Sequence, residues 1–480
     1  MDDDLDKILN RKAGFIYPAI YAETEVRLMR FPANRRNPSD MRYTLETFQL
    51  SDLPSTRYKA LSYTWGRANV ISDLHEILLD GQQFFIRKNL FEFLTIAAGK
   101  GETGLFFVDA ICINQLDKAE RLFQVREMAR VYRNADKVVA WLGIPNTQRT
   151  LNDVQSLAEI KDRTGCAGWT SNQWDAFKYL SFHPYWSRIW IVQEVILAPS
   201  MEVWCWYFVF PLALFVGTPQ YSLPFRDTTS SKRERLRTVN NEIYTHCSPA
   251  DRVTTHRTRL VNLLKRDPLA QGTAVGTLEE MTTSLTMPYM KAETYQSTVP
   301  DLVHEIVPKF GMFQCSDPRD KLYGFLGILK DSSRAEVNPD YTMSVTYAFR
   351  QALKIGFREI EHEHSATADI KNSDEIFRLC LAYYCAAHSV FGIEDYESIV
   401  IIQEVVAELR KQAPLTSFTD RIGSRRPSIW NDINPEIVLD PEKLLQMVAP
   451  KRDVWVKSVC SYRIRLRDIL KIRGITCIGR

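Results

Sequence analysis

Two acidic residues of this sequence have neighbours that suit them to chemistry. Asp109 directly follows the short apolar run 105–108, and a residue just past the carboxyl end of a strand faces the ligand crevice of an open α/β sheet. Glu194 lies one helical turn after Trp190, which predicts that indole and carboxylate are neighbours. A carboxylate can stabilise positive charge on a reacting group, and an indole can stack on a heterocycle. The sequence therefore predicts a site built from carboxylates and aromatic rings.

Further residues of the same crevice edge are predicted at the end of an earlier strand. Residues 58–63 are predicted to form a strand that continues into Thr64-Trp65-Gly66, where the glycine permits a tight turn of the backbone. We expect Ser62, Trp65 and Gly66 to line the same crevice edge as Asp109, because the carboxyl ends of parallel strands share one edge of a sheet.

The elements that position these residues form a βαβ unit over 105–143. Asp117, followed three residues later by Glu120, resembles a capping box at the start of a helix. The run 137–142 returns as a β-branched strand and ends at Gly143. The helix between the strands has one apolar stripe, which consists of Leu122, Val125, Met128, Ala129 and Tyr132.

Upstream of this unit, the chain predicts a strand, a hairpin and a helix. Within 1–57, which we interpret as a segment wrapping the following domain, Glu25–Phe31 is the only plausible strand. Asp80-Gly81 separates two apolar runs and is the dipeptide favoured in two-residue hairpins. Asn89 is placed to cap the helix that follows.

Downstream, the predicted organisation is a helix, a polar insertion and a helical region. One helical face is predicted to carry Trp186, Ile189, Trp190, Gln193 and Leu197. The range 206–299 is interpreted as a polar insertion or linker, and 300–480 as a mainly helical region. The basic stretch 451–474 is typical of a solvated strand face; the alternative is a patch for an anionic partner.

Composition excludes several classes of protein. A net charge of +3 gives no argument for nucleic-acid binding, and the nine cysteines form no CxxC pair, which favours free thiols in a reducing compartment. The acidic start of the chain differs from a secretory signal, and the longest apolar run, 203–216, is too short to span a bilayer. No histidine spacing suits zinc, and Walker A and dinucleotide-binding glycine motifs are absent. We therefore expect a cytoplasmic protein with no membrane span and no tightly bound cofactor.

Three blocks of the sequence resemble the fungal heterokaryon incompatibility (HET) domain in order and spacing. They are YKALSYTWG at 58–66, the 37-residue block beginning FVDAICINQ at 107–143, and WSRIWIVQE at 186–194. The resemblance predicts a HET domain over 58–205. It also implies an α/β fold distantly similar to Toll/interleukin-1 receptor (TIR) domains, with a parallel-rich sheet and flanking helices.

The resemblance implies a role in fungal non-self recognition, with the HET domain as the trigger of cell death. Several TIR domains cleave NAD, using a glutamate that follows a tryptophan on a helix beside the crevice. Trp190 and Glu194 match that W-x-x-x-E pattern. The implied catalytic residue is Glu194, and the implied NAD contacts are Ser62, Trp65, Gly66, Asp109 and Trp190.

Each of these assignments has an alternative. Glu194 can be a carboxylate of the first helical turn that pairs with Arg188, and Asp109 can satisfy backbone N–H groups of the loop 110–115. The HET domain can also be a non-catalytic signalling module that kills by assembling with other incompatibility proteins or with copies of itself. NAD would be consumed only by the enzyme.

Overall fold

A computed structural model describes most of the chain. The described residues are 5–33, 42–160, 169–216, 248–266, 301–365 and 373–412. The chain divides into two compact units, one comprising 1–229 and 247–299 and the other 230–246 and 300–480.

The first unit contains a sheet and its covering helices. Its strands are β1 (Glu25–Phe31), β2 (Arg42–Gln49), β3 (Tyr58–Tyr63), β4 (Leu74–Leu79), β5 (Gln82–Arg87), β6 (Gly104–Phe107), β7 (Lys137–Trp141), β8 (Met201–Cys205) and β9 (Phe208–Pro211). Its helices are α1 (Leu5–Ala13), α2 (Lys88–Gly99), α3 (Asp109–Cys112), α4 (Lys118–Asn134), α5 (Gln148–Ala158), α6 (Ser171–Ser181), α7 (Ile191–Leu197) and α8 (Pro249–Arg266). Short 3₁₀ helices are found at Leu50–Ser55, Ile71–Asp73, Pro184–Ser187 and Leu212–Phe215.

The described strands form one mixed sheet with a parallel centre. Their order is β5-β4-β2-β1-β6-β3-β7-β8-β9. The four central strands β6, β3, β7 and β8 are parallel to one another, while β1 pairs antiparallel with both β2 and β6. This arrangement confirms the predicted α/β class, including the βαβ unit formed by β6, α4 and β7.

Alternation along β6 explains why helices cover both faces of the sheet. Neighbouring residues of a strand point to opposite faces, and here the ring of Phe106 packs near Phe93 of α2, whereas Phe107 packs near Tyr132 of α4. The Tyr132 hydroxyl also donates to the carbonyl of Leu61 at 2.9 Å. Because both faces of the central strands are covered, their sequences are mainly apolar, with a lysine or glutamate only near the start of β3, β7 and β8.

The predicted hairpin is confirmed, whereas two local predictions in this region are wrong. Asp80 and Gly81 both have positive φ angles, 52° and 77°, as the two-residue turn between β4 and β5 requires. β2 was not predicted, because apolar and polar residues alternate over only a few of its positions. Pairing with β1 along most of its length stabilises it. Asn89 does not cap α2, because its amide instead donates to the Thr64 carbonyl and its Oδ1 accepts from the Trp141 indole.

The predicted capping box at α4 forms only in part. The Asp117 side chain accepts hydrogen bonds from the backbone N–H groups of Ala119 and Glu120. The Glu120 side chain does not return to the cap, since it binds Arg27 of β1. A long-range ion pair has therefore replaced the local contact that the spacing predicted.

The range predicted as a polar insertion contains ordered elements. β9 and the 3₁₀ helix at Leu212–Phe215 continue the sheet edge, and α8 is tied to the same unit by Thr254, whose hydroxyl donates to the Phe215 carbonyl at 2.9 Å. The basic stretch 451–474 lies outside the described residues. Within the described part of the chain, no helix is long and apolar enough to cross a membrane.

The described part of the second unit is helical, as predicted. Its helices are α9 (Val303–Phe310), α10 (Asp320–Tyr323), α11 (Asp331–Glu336), α12 (Val345–Ser365), α13 (Ser373–Phe391) and α14 (Asp395–Gln412), with a 3₁₀ turn at Leu326–Ile328. His304 of α9 is buried and contacts two glutamates of α12: its Nδ1 lies 3.1 Å from Glu359 and its Nε2 lies 3.2 Å from Glu363. Ser333 of α11 also donates to Glu359.

A buried ion pair joins β1 to α4 in the first unit. The Arg27 guanidinium donates two hydrogen bonds to the Glu120 carboxylate, at 2.7 and 3.0 Å, and the side chains are only 1% and 8% exposed. Arg27 also donates to the carbonyls of Pro18 and Cys112, and Glu120 accepts from the backbone N–H of Asn114. Nearly every polar atom of the pair therefore has a partner, which is the condition under which burial of two charges is tolerated.

Removing one partner of this pair should destabilise the first unit. We expect Glu120→Gln to lower the free energy of unfolding by about 3–5 kcal/mol, because it leaves the Arg27 charge buried without a counterion. Urea unfolding followed by tryptophan fluorescence measures this loss. As a control, Asp136→Asn, which breaks the exposed pair with Arg57, should cost less than about 1 kcal/mol; equal losses in the two variants would contradict the assignment.

The second unit should lose stability in alkali through His304. Burial opposes the charge of the ring, but the hydrogen bonds and negative charges of Glu359 and Glu363 outweigh it and raise the pKa of His304 to about 9. The resulting stabilisation is fully present below about pH 6.5, the ordinary pKa of histidine, and is lost as the pH rises through 9. We expect a loss of at most about 3 kcal/mol.

Urea unfolding of the full chain at several pH values, followed by circular dichroism, measures this dependence. His304→Gln should remove the part of the pH dependence that lies between 6.5 and 9. A variant with the same pH dependence as the parent would show that the ring is not charged in the folded protein.

Candidate functional site

A cleft opens at the carboxyl ends of β3 and β6. The space between its walls is about 510 Å³, a volume that includes open solvent outside the cleft. Aromatic rings and polar groups alternate around it: the residues lining it are Asp6, Lys7, Asn10, Tyr17, Tyr63, Trp65, Phe84, Phe85, Ile86, Arg87, Leu90, Ala110, Asn114, Gln115 and Leu116. Of the residues predicted to line a crevice edge, Trp65 is among those that line this cleft, whereas Ser62, Gly66 and Asp109 are not.

Asp109 holds the Trp65 ring at this wall. The indole N–H donates to Oδ2 of Asp109 at 2.9 Å, and the backbone N–H of Ala110 donates to Oδ1 at 2.7 Å. Burial raises the pKa of Asp109, while the positive charge of Arg188 and the Trp65 hydrogen bond oppose that rise. Asp109 thus accepts a hydrogen bond from a backbone N–H group of the loop 110–115, which was its alternative role, and it also positions the Trp65 ring of the cleft.

Glu194 lies in a separate, enclosed position behind β3. It is 2% exposed, and its carboxylate accepts a hydrogen bond from the Ser62 hydroxyl. That hydroxyl is in turn 2.6 Å from the hydroxyl of Tyr185. Burial raises the pKa of Glu194 to about 7, although Arg188 and the Ser62 hydrogen bond lower it. At neutral pH the carboxyl group is therefore poised between its two protonation states.

Arg188 links this enclosed carboxylate to the cleft. Its guanidinium donates to the carbonyl of Tyr63, whose side chain lines the cleft, and its positive charge lowers the pKa of both Asp109 and Glu194. The negative charge of Asp109 also raises the pKa of Glu194, but this effect is smaller than the effects of burial, Arg188 and the Ser62 hydrogen bond. One arginine therefore allows two acidic groups to share this end of the sheet.

The helix predicted to carry Trp186 and Glu194 together is interrupted. Trp186 belongs to the 3₁₀ helix Pro184–Ser187, Arg188 is extended with φ −77° and ψ 139°, and α7 begins at Ile191. An extended Arg188 can reach the Tyr63 carbonyl, which explains why the helical pattern is broken there. Trp190 and Glu194 still lie one turn apart, because the Glu194 N–H donates to the Trp190 carbonyl.

The predicted site residues are thus divided between two places. Trp65 lines the cleft, Asp109 supports it, and the Gly66 carbonyl accepts a hydrogen bond from Arg87 of the cleft wall. Ser62 and Glu194 form the buried pair behind the wall. Trp190 is half-buried and is not among the described residues that line the cleft.

The sequence analysis did not identify several residues of the cleft and of the buried pair behind it. Tyr185 was missed although it directly precedes the third sequence block, because a tyrosine in an apolar segment gives no sign of a hydroxyl partner. Asp6, Asn10 and Arg87 come from α1 and β5, which no motif connects. Among the described residues, no cluster of histidine, cysteine, aspartate or glutamate is placed to hold a metal ion.

Comparison with known proteins finds one matching family model and one similar curated protein. The family model described as Heterokaryon incompatibility protein (HET) matches residues 58–194. Heterokaryon incompatibility protein 6, OR allele, of Neurospora crassa is 26% identical over 373 residues, which cover 68% of this chain and 50% of the relative. The chain thus spans about half the length of this curated relative, and no solved structure matches it significantly.

The family match begins at the first residue of β3 and ends at Glu194. It therefore contains the central parallel strands β3, β6 and β7, together with Ser62, Asp109, Arg188 and Glu194. Residues 58–194 thus match the heterokaryon incompatibility (HET) domain, and the chain is similar to a heterokaryon incompatibility protein over 373 residues.

Proposed function

We propose that this protein is a HET domain protein acting in fungal heterokaryon incompatibility, and that its HET domain triggers the death of incompatible cells. The match of residues 58–194 to the family, together with the similarity to an incompatibility protein of Neurospora crassa, carries the proposal. In this proposal, other incompatibility or signalling proteins recognise the incompatible cell and act together with this chain.

The chemistry proposed for the domain is hydrolysis of NAD. The bond between ribose C1′ and nicotinamide breaks, its electron pair leaves with nicotinamide as a neutral base, and water adds to C1′ and releases a proton. The transition state has oxocarbenium character. A carboxylate beside the ribose would stabilise that positive charge, and a neutral leaving group removes the need for a strong general acid.

The observation that supports this chemistry is the environment of Glu194. A cationic sugar next to it would favour the carboxylate form of a group whose pKa is about 7. Desolvation strengthens its interaction with that charge, because charges attract more strongly in a low-dielectric site. Glu194 contacts Ser62 and does not line the cleft, so the proposal includes an opening of the wall around Ser62 and Tyr185 that admits the ribose.

One observation favours the second candidate, a non-catalytic module that kills by assembly with partners. Glu194 is 2% exposed and hydrogen-bonded, which is also what a purely structural carboxylate requires. In that case the Ser62–Glu194 contact serves to hold α7 against the end of β3, and NAD plays no part.

Replacing Glu194 distinguishes the two candidates. Glu194→Gln keeps the size and the acceptor for Ser62 but removes the charge, so we expect NAD hydrolysis to slow by about 100- to 1000-fold. The measurement is a time course of NAD in fungal cells that express the full chain, recorded together with membrane integrity. Glu127→Gln, the same change on a partly exposed position of α4, is the control and should behave like the parent.

The two candidates give opposite results in this experiment. The enzyme should deplete NAD before cells lose integrity in the parent and the control only. If Glu194→Gln protein depletes NAD as fast as the parent, the catalytic assignment is wrong. If all three proteins kill while NAD stays constant until lysis, the assembly module is correct.

The same variant has a predicted effect on stability. Because the pKa of Glu194 is raised from 4.5 to about 7 by folding, the folded protein binds this proton more tightly than the unfolded chain does. The stability of the parent relative to Glu194→Gln should therefore increase as the pH falls from about 7 to 4.5. Urea unfolding of both proteins across this range measures the difference, and a constant difference would contradict the raised pKa.

A further inference from the structure

Helix α1 lies over the cleft and is held there by polar contacts. None of the residues of α1 is buried. The Asn10 side chain makes two hydrogen bonds to the backbone of Phe85 in β5, one with its carbonyl at 2.9 Å and one with its N–H at 2.7 Å. The backbone N–H of Leu5 donates to the Ala68 carbonyl at 3.3 Å. A helix attached in this way can exchange its polar contacts for contacts with ligand or water at small net cost.

The strongest of these contacts is an ion pair inside the cleft. Asp6 of α1 accepts two hydrogen bonds from Arg87, from Nε at 2.9 Å and from Nη2 at 3.2 Å. The same guanidinium donates to the Gly66 carbonyl and lies 5.3 Å from the centre of the Trp65 ring. Arg87 is therefore held in a fixed orientation by groups that do not belong to α1.

The geometry of this pair is that of anion recognition. A guanidinium binds carboxylate and phosphate oxygens with the same two parallel hydrogen bonds. Asp6 thus occupies the position that a phosphate group would take on Arg87. Lys7 also lines the cleft, and Trp65, Tyr63 and Tyr17 provide aromatic surface within the same space. Cations beside aromatic rings match a ligand that joins phosphates to heterocycles.

We propose that the cleft contains a phosphate-binding subsite for a dinucleotide, with Arg87 as its anchor, and that α1 closes the subsite by placing Asp6 on Arg87. The inference rests on the proposed function for the identity of the ligand. Ligand phosphate and Asp6 compete for one guanidinium, so displacement of α1 and binding of the dinucleotide are coupled. Any partner that draws α1 away from β5 would raise the affinity of the cleft.

Isothermal titration calorimetry of the full chain with inorganic pyrophosphate, at constant ionic strength, tests the subsite. Asp6→Asn removes the competing charge and should tighten binding about tenfold relative to the parent. Asn10→Ala, which removes the bonds between α1 and Phe85 and leaves Arg87 unchanged, should tighten binding in the same direction. Asp175→Asn on the exposed side of α6 makes the same change in net charge and should leave the affinity unchanged.

A further variant tests the anchor itself. Arg87→Lys keeps the charge but loses the paired hydrogen bonds, so it should weaken binding about tenfold when it is introduced into the Asp6→Asn protein. Circular dichroism of each variant shows whether the fold is retained. If Asp6→Asn and Asn10→Ala bind pyrophosphate no more tightly than Asp175→Asn, or if no variant binds it at millimolar concentration, the inference is overturned.

This test is independent of NAD hydrolysis. Tighter pyrophosphate binding by Asp6→Asn without any NAD turnover would support the subsite and contradict the proposed chemistry. The opposite outcome is NAD turnover by the parent with no change in pyrophosphate affinity or in the rate of NAD hydrolysis in Asp6→Asn. That outcome would support the chemistry and contradict the subsite.

Discussion

The buried pair of Arg27 and Glu120 is the interaction on which the architecture of the first unit depends. It connects β1 to α4 across the face of the sheet, and its remaining hydrogen bonds fix the segment before β1 and the loop that follows α3. That loop supplies Asn114, Gln115 and Leu116 to the cleft. Burying two charges is costly unless their hydrogen bonds are satisfied, so one saturated pair determines both the position of β1 and the shape of one cleft wall.

The same principle governs the two carboxylates at the carboxyl end of the sheet. Asp109 and Glu194 are both desolvated, and the charge of Arg188 acts on both. Their surroundings nevertheless give them different roles: Asp109 is fixed by a backbone N–H and an indole, whereas Glu194 has a single hydroxyl partner in Ser62. Burial raises the pKa of both carboxyl groups, and the hydrogen bonds to each oppose that rise because hydrogen bonds to a carboxylate favour its charged form.

Glu194 and Arg87 mark the two halves of the proposed site, and each half is closed. Ser62 and Tyr185 enclose the carboxylate, and α1 covers the guanidinium. The proposed activity would kill the cell that contains the protein and would therefore have to be controlled, and closed halves held by a few polar contacts would provide that control. Polar contacts of this kind exchange for contacts with ligand or water at small net cost, whereas the apolar core beneath them stays intact.

Much of the fold could be predicted from local patterns in the sequence. The strands β3, β6 and β7, the helix α4 and the Asp80-Gly81 turn each have a local cause in the sequence, and each was confirmed. The apolar stripe predicted for α4 was confirmed only in part: Met128, Ala129 and Tyr132 are buried, whereas Leu122 and Val125 are half-buried. Local signals failed where a distant partner took over: pairing with β1 stabilises β2, Arg27 withdraws Glu120 from its cap, and Asn89 binds Trp141 rather than its own helix.

The residue types of the site could be read from the sequence, but their grouping in space depends on how distant segments pack together. The spacing of Trp190 and Glu194 predicted that they are neighbours, but the burial of Glu194 behind Ser62 depends on how α7 packs against the end of β3. Asp6 and Arg87 are 81 residues apart in the sequence, and no periodicity connects residues so distant. Their pairing arises from the packing of α1 on β5, because contacts between distant segments depend on the whole fold rather than on any local pattern.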